Sequence, residues 1–239
     1  MATYPLKLTA DTAKYGRKSV WEAPVRITHW VTAASIVVLF ATGLYISHPI
    51  FTSNGEAYRN FQMGRFREVH FVAGYALLFS LLLRVYWFFA GNKYARSGVP
   101  LVWRRSWWKA LREQMLEYLG KVRGAVRLGH NSLAGLSYFL FVGALGCAQI
   151  VTGFALYGET NPGGFWDTVF GWVIPLMGGS FRTHMWHHTF AWGFVVFVIL
   201  HLYIILFDSV RYKNGLISSM ISGDKFYEKG DLDSDDWVS

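Results

Sequence analysis

The chain has 239 residues, of which 53% are hydrophobic and only 16% carry a charge, so it is too apolar for an ordinary water-soluble domain. Its single cysteine, Cys147, excludes an internal disulfide and an iron–sulfur cluster, so a metal centre here would have to use histidine. Because no CxxCH motif is present, a covalently attached c-type haem is also excluded. Composition therefore indicates a membrane protein.

Apolar stretches of about 20 residues, the length that a helix needs to cross a bilayer, occur four times along the chain. They run approximately from Ile27 to Ile46, Val69 to Phe89, Leu133 to Leu156 and Thr183 to Phe207. Residues 161–179, "NPGGFWDTVFGWVIPLMGG", are aromatic but interrupted by glycine and proline. This pattern predicts an interfacial loop with a short helix rather than a fifth span.

The distribution of lysine and arginine predicts the orientation, because positively charged loops stay on the cytoplasmic side. Eighteen lie before the first span, between spans two and three or after the fourth, and four lie in the other loops. The prediction is a cytoplasmic segment at 1–26, a four-helix membrane domain at 27–207 and a cytoplasmic tail at 208–239. The net charge of +8 thus reflects topology and does not indicate a nucleic-acid partner.

Two cytoplasmic stretches have distinct compositions. The basic "RRSWWKALREQ", residues 104–114, is typical of an amphipathic segment lying on anionic lipid. The tail "GDKFYEKGDLDSDDWVS", residues 223–239, is polar and acidic, which predicts loose order.

Four histidines of the spans fall at two depths. In the predicted topology His29 lies near the inner end of span one and His70 near the outer end of span two. On span four, His187 lies near the outer face and His201 lies fourteen residues deeper, which is roughly 21 Å along a helix. This predicts a pair His70–His187 at the outer level and a pair His29–His201 at the inner level.

The helical angle selects one histidine from the cluster on span four. Each residue of an α-helix advances about 100°, which leaves His187 about 40° from His201. His188 is about 140° and His184 about 100° from His201, so neither shares its face. His188 stays open as the alternative outer ligand, or as a group that orients a haem propionate or a partner protein.

Two imidazoles that face each other across an apolar bundle can hold one haem iron from both sides, which predicts two b-type haems. Gly43 and Gly74 would make room for the haem faces, or would only allow close packing of helices. Arg84 would pair with a propionate of the inner haem, or would extend to the lipid headgroups. Arg182, beside the outer level, has the same two alternatives.

Two further residues, His130 and Asn131, stand at the inner start of span three. They would offer hydrogen bonds to a quinone carbonyl, or would cap the helix. Rival interpretations of the membrane histidines are a transporter or proton channel, which would be colourless, and a purely structural anchor.

Several motifs together resemble the b-type cytochrome subunit of membrane-bound nickel–iron hydrogenases. "RITHWVTAASIVVLFATG", residues 26–43, resembles its first signature, and "MWHHTFAWGFVVFVILH", residues 185–201, resembles its second. The stretches "GRFREVHFVAG", "LLRVYWFFAGNKY", "WRRSWWKALREQ", "GHN" and "TGFALY" match the same subunit in order and spacing.

The resemblance implies an electron-transfer subunit of the bacterial inner membrane. In that family four histidines on spans one, two and four hold two haems, which matches the four residues named above. The subunit anchors the small and large hydrogenase subunits on the periplasmic face. It passes electrons from an iron–sulfur cluster through both haems to a quinone, and would not itself split hydrogen. A formate dehydrogenase cytochrome is the alternative, and further oligomerisation of the heterotrimer stays open.

Overall fold

The computed structural model describes residues 15–50, 60–122, 129–212 and 215–228. Within these ranges four helical stretches are long and apolar enough to cross a membrane. They are Ala23–Ser47, Gln62–Ala90, Ser132–Gly158 and Ser180–Tyr212. Each contains one of the predicted apolar stretches, so the prediction of a four-helix membrane protein is confirmed.

The described elements are mostly helical. The helices are α1 (Ala23–Ser47), α2 (Gln62–Ala90), α3 (Arg105–Tyr118), α4 (Ser132–Ser137), α5 (Gly146–Gly158), α6 (Phe165–Phe170), α7 (Val173–Leu176), α8 (Ser180–Tyr212) and α9 (Leu216–Ser222), and a π-helical segment, Tyr138–Leu145, joins α4 to α5. Two strands, β1 (Tyr15–Ser19) and β2 (Asp224–Glu228), complete the set.

Proline sets both ends of α1. Pro24 lies in the first turn, where the missing N–H costs nothing because no helical carbonyl precedes it. The helix ends at Ser47, and the next residue, His48, precedes Pro49. A residue before proline is disfavoured in the helical region, so the chain leaves the helix there.

The contacts divide the described chain into two compact units. The histidine-bearing unit consists of residues 27–50, 60–86 and 138–199, and the terminal unit consists of residues 15–26, 87–122, 129–137, 200–212 and 215–228.

In the histidine-bearing unit, hydroxyl groups join α1 to α2. Ser80 donates to the backbone carbonyl of Thr28 at 2.9 Å, and its Oγ lies 2.9 Å from Oγ1 of Thr32. Such bonds satisfy polar groups that have no water to bind inside a bilayer. Outward-facing apolar side chains, by contrast, stay exposed, for example Val37 at 68% and Phe79 at 64%. These surfaces suit contact with lipid.

The predicted interfacial loop contains two short helices, α6 and α7. The ring of Trp166 on α6 stacks on Phe154 of α5 with centroids 4.2 Å apart, and its indole N–H donates to the hydroxyl of Tyr75 at 2.7 Å. The loop is therefore packed against the helices it connects.

In the terminal unit, β1 pairs antiparallel with β2, with Arg17 opposite Phe226. The prediction of loose order is therefore wrong for residues 224–228, because pairing with a strand more than 200 residues earlier in the chain orders them. The remaining tail, 229–239, lies outside the described residues. Gly223, with φ of 91°, accepts from the backbone N–H groups of Val20 and Trp21 at 2.8 and 3.0 Å.

The basic stretch forms α3, an amphipathic helix as predicted. Trp107, Leu111 and Gln114 are buried on one face, whereas the basic residues Arg105 and Lys109 are exposed. Its contact with anionic lipid stays a prediction.

Candidate haem site

The imidazoles of His70 and His187 face each other in the histidine-bearing unit. His70 lies on α2 and His187 on α8, with ring centroids 6.4 Å apart and ring planes inclined at 66°. A metal–imidazole bond is about 2 Å long, so two rings bound to opposite sides of one metal have centroids roughly 6 Å apart. The observed spacing therefore fits two axial ligands of one haem iron.

A threonine hydroxyl contacts each of these imidazoles. Oγ1 of Thr42, on α1, lies 2.9 Å from Nδ1 of His70. Oγ1 of Thr152, on α5, lies 2.9 Å from Nδ1 of His187. A hydroxyl thus lies against Nδ1 of both rings, and Nε2 would be the nitrogen that binds a metal.

An amide group lies beside the second imidazole. Nε2 of Gln149, on α5, is 3.2 Å from Nε2 of His187, while its Oε1 is buried with no hydrogen-bond partner among the described residues. If Nε2 of His187 were to bind iron, this amide would have to turn aside. A buried amide with unused hydrogen-bonding capacity fits a site built to receive a further group.

Glycines leave space beside the rings. A Cβ at Gly43 would lie 3.3 Å from Cε1 of His70, and one at Gly153 would lie 3.0 Å from Cε1 of His187. At Gly74 a Cβ would meet no atom within 4 Å. Gly43 and Gly153 thus admit the imidazoles themselves, while the place of Gly74 beside a haem stays a prediction.

The other histidines of the α8 cluster point elsewhere. Nε2 of His188 accepts a hydrogen bond from the indole N–H of Trp192 at 3.1 Å. His184 is exposed, and its Nδ1 lies 2.9 Å from the carbonyl oxygen of Ser180. Within the described part of the chain, His187 is the member of this cluster that contacts His70.

Both histidines of the predicted inner pair are half-buried. His29 is half-buried on α1, with its ring in an edge contact with Trp30 at 5.1 Å between centroids. His201 is half-buried on α8 in the terminal unit. Their pairing around a second haem stays a prediction.

The two arginines predicted to pair with haem propionates have different surroundings. The guanidinium of Arg84 lies 5.5 Å from the centroid of the Tyr138 ring, a favourable cation–π distance. Arg182 is exposed at the start of α8, beside Gly178. The propionate role of both arginines stays a prediction.

The residues predicted to contact quinone have partners in the terminal unit. Nδ1 of His130 lies 3.1 Å from Oγ of Ser97, and its ring lies 4.9 Å from that of Trp21. Asn131 accepts from the backbone N–H of Ala134 at 2.7 Å, so this residue does cap α4. The quinone role of both residues stays a prediction.

Asn131 also donates to the hydroxyl of Tyr118 at 2.9 Å, and Tyr118 donates to Asp208 at 3.1 Å. Burial raises the pKa of Tyr118, which keeps its hydroxyl protonated as this donor requires.

Sequence reasoning missed Thr42, Thr152, Gln149 and Gly153 as members of the site. A signal was present, because a Thr-Gly pair occurs in both span one and span three, at 42–43 and 152–153. The helical angle places residues around one helix, but it does not show which face a neighbouring helix approaches.

Comparisons with known proteins identify the family of this chain. A family model described as prokaryotic cytochrome b561 matches residues 20–223. The "Probable Ni/Fe-hydrogenase B-type cytochrome subunit" of Azotobacter chroococcum mcd 1 is 44% identical over 226 residues, which cover 93% of this chain and 92% of the relative.

Two further relatives carry similar names. The "Probable Ni/Fe-hydrogenase B-type cytochrome subunit" of Cupriavidus necator is 42% identical over 85% of both chains. The "Probable Ni/Fe-hydrogenase 1 B-type cytochrome subunit" of Escherichia coli K12 is 36% identical, covering 89% of this chain and 92% of the relative.

The family match begins beside the first membrane helix and ends beside β2, so it includes all four spans and both facing imidazoles. This is a multi-pass membrane protein of mostly helical fold, and the chain belongs to the prokaryotic cytochrome b561 family.

Proposed function

We propose that this chain is the membrane cytochrome b subunit of a nickel–iron hydrogenase and carries electrons from the hydrogenase to a membrane quinone. The observation that carries the proposal is the facing pair His70–His187, 6.4 Å apart on two apolar helices. The names of the relatives support hydrogenase as the partner. The chain acts in electron transfer and does not itself oxidise hydrogen.

Two haems b are assigned, one held by His70 and His187 and the other by His29 and His201. A bound haem supplies an iron that accepts and gives up one electron at a time. The four imidazoles would hold the two irons, and the apolar helices would exclude water from both sites. His187 and His201, fourteen residues apart on α8, set the two levels roughly 21 Å apart along the helix axis.

Two arginines are proposed to neutralise the negative charge of the haem propionates, one at each level. A haem carries two propionates, which are costly to leave unpaired in an apolar bundle. Arg84 on α2 is proposed to serve the inner haem, and Arg182 at the start of α8 the outer one. His188 and Gly74 complete the proposed haem contacts.

Quinone reduction takes two electrons and two protons, so the acceptor site needs hydrogen-bonding groups as well as a nearby haem. His130 and Asn131 are proposed to contact the quinone at the cytoplasmic side. Both lie at the start of the third span, where the described neighbours Ser97 and Tyr118 add hydroxyl groups.

The partners proposed for the periplasmic side are the small and large hydrogenase subunits. Electrons enter from an iron–sulfur cluster of the small subunit. The reported relatives favour this partner over formate dehydrogenase, because each is named as a hydrogenase cytochrome subunit. The complex belongs to the bacterial inner membrane in this proposal, and higher oligomers of the heterotrimer are compatible with it.

Purification of the complex through a tag on this chain tests the proposal. We expect both hydrogenase subunits by mass spectrometry, and two b-type haems per chain by redox-titrated absorption spectroscopy. Hydrogen should reduce both haems, and added quinone should reoxidise them. A colourless preparation, or one that contains formate dehydrogenase subunits, would contradict the proposal.

Histidine variants connect that result to the assigned residues. H29A and H201A should each remove the inner haem and stop quinone reduction while leaving the hydrogenase subunits attached. H48A is the matched control, because His48 is exposed and its Nδ1 contacts the hydroxyl of Ser47 at 3.1 Å. It should retain both haems.

A further inference from the structure

The hydroxyl of Thr42 has its hydrogen committed to its own helix. Oγ1 donates to the carbonyl of Val38 at 2.6 Å, one turn back along α1. The same oxygen lies 2.9 Å from Nδ1 of His70. Since a hydroxyl has one hydrogen, Thr42 can only accept at this second contact, and Nδ1 of His70 must carry the proton.

The second site repeats this arrangement on different helices. Oγ1 of Thr152 donates to the carbonyl of Ala148 at 2.7 Å, one turn back along α5, and lies 2.9 Å from Nδ1 of His187. Gln149 adds an independent constraint, because its amide nitrogen lies 3.2 Å from Nε2 of the same ring. An amide nitrogen donates, so Nε2 of His187 accepts and the proton is again on Nδ1.

Each threonine is followed by a glycine that completes the contact. Gly43 and Gly153 bring the helix backbone close to Cε1, the carbon adjacent to Nδ1 in each ring. A Thr-Gly pair therefore forms a seat: the hydroxyl holds Nδ1, and the missing side chain admits the ring. The two seats lie on α1 and α5, and the rings they hold lie on α2 and α8.

We propose that Thr42 and Thr152 are positioning residues that hold His70 and His187 in the Nδ1–H tautomer, with the Nε2 lone pair directed to iron. This inference rests on the ligand roles in the proposed function. It gives the third span, which supplies no ligand, a role in the site. Imidazole ligands whose other N–H is hydrogen-bonded are fixed in orientation and are stronger donors.

The inference predicts a property of the haem iron. A hydrogen bond from Nδ1–H gives the imidazole more anionic character, which stabilises ferric over ferrous iron and lowers the midpoint potential. Loss of the threonine hydroxyl should therefore raise the potential of the haem between His70 and His187. It should leave the potential of the other haem unchanged.

Isosteric and conservative variants in the purified complex test this. T42V and T152V keep the shape of the side chain and remove the hydroxyl, whereas T42S and T152S keep the hydroxyl and remove the methyl. We expect each valine variant to raise the midpoint potential of the haem between His70 and His187. Each should also weaken retention of that haem about tenfold. The serine variants should restore the wild-type potential.

T189V is the background control, because Thr189 is an exposed residue of α8 whose hydroxyl bonds only to the carbonyl of Met185 among its described contacts, at 2.8 Å. Wild-type potentials in T42V and T152V would overturn the inference. Equal haem loss in the valine and serine variants would also overturn it, since the threonines would then act only by filling space.

The ligand assignment is tested separately in H70A and H187A. If these variants lose one haem while the valine variants match the wild type, the threonine inference alone fails. If they keep both haems, the proposed ligands themselves are wrong. If a valine variant does not assemble, an assembled serine variant with wild-type potentials still supports the role of the hydroxyl. If neither the valine nor the serine variant assembles, the result contradicts that role.

Discussion

Gly153 lies directly against His187: a Cβ built on the glycine would stand 3.0 Å from Cε1 of the imidazole. That distance is shorter than ordinary carbon–carbon contact, so a larger residue would displace the ring. His187 is itself a residue of α8, so its ring lies between its own helix and the α5 backbone at Gly153. Backbone proximity on α5 is therefore part of what places His187 opposite His70.

We expect G153A to lower the haem content of the purified protein, because the displaced imidazole can no longer face His70 at the distance that one iron spans. G43A should act in the same direction but less strongly, since its Cβ would lie 3.3 Å from Cε1 of His70. Haem per chain, measured from the absorbance of the extracted haem, reports both effects.

G64A is the matched control for these variants. A Cβ at Gly64 would meet only Phe61, at an ordinary 3.7 Å. G74A separates two roles, because a Cβ there would meet no described atom within 4 Å. Haem loss in G74A would thus report a contact with the haem itself. Unchanged haem content in G153A would contradict the prediction, because the close approach of the α5 backbone to the His187 ring would then be unimportant.

The second prediction concerns the choice of ligand on α8. H187A should lose about half of the bound haem, because one of two iron centres loses an axial ligand. H188A should keep both haems, since Nε2 of His188 is bonded to Trp192. Redox-titrated absorption spectra decide between them. The reverse result would identify His188 as the ligand.

The third prediction concerns the proposed quinone contact. In H130A, hydrogen should still reduce both haems, but added quinone should reoxidise them more slowly. H48A is the matched control, because it also replaces a histidine by alanine, and His48 is exposed with its Nδ1 3.1 Å from the hydroxyl of Ser47. Stopped-flow absorbance of the haems measures both steps. Unchanged reoxidation in H130A would leave this histidine a structural residue.

The fourth prediction is a pH dependence of stability from Lys225. Burial lowers the pKa of Lys225 to about 8 from 10.5, and the attraction of Asp208 offsets part of that effect. The side chain lies 5.3 Å from the centroid of the Trp21 ring. Because the folded pKa is below the unfolded one, the unfolded state binds more protons between these two values, and stability should rise with pH across that window.

The slope for one proton is about 1.4 kcal/mol per pH unit, so the thermal midpoint of the detergent-purified protein should increase from pH 8 towards pH 10. K225M should remove this component, because methionine does not titrate. The difference in midpoint between the wild type and K225M isolates Lys225 from other titrating groups. A difference that does not change with pH would contradict the prediction.

Much of the fold follows from local composition. Apolar length alone predicts the four spans, because a bilayer imposes one minimum helix length on any sequence. Helical angle separates His187 from His188, since the two differ by a fixed rotation on one helix. These properties depend on neighbouring residues and can be read along the chain.

The threonine seats depend on how helices face each other. Thr42 contacts a ring on α2, and Thr152 contacts a ring on α8. The third span also contains the π-helical segment Tyr138–Leu145, whose turns are wider than those of an α-helix. An angle counted at 100° per residue therefore fails across this segment. The strand at 224–228 was missed for a related reason, because its partner lies at the other end of the chain.

The pairing of β1 with β2 also sets an order of events during synthesis. The ribosome makes residues 15–19 before the first span and residues 224–228 after the last, so β1 waits for its partner while all four helices enter the membrane. Until then Val20 and Trp21 lack the acceptor carbonyl of Gly223. A chain released before β2 would contain every membrane helix and still expose an unpaired strand, a feature that quality-control proteases can recognise.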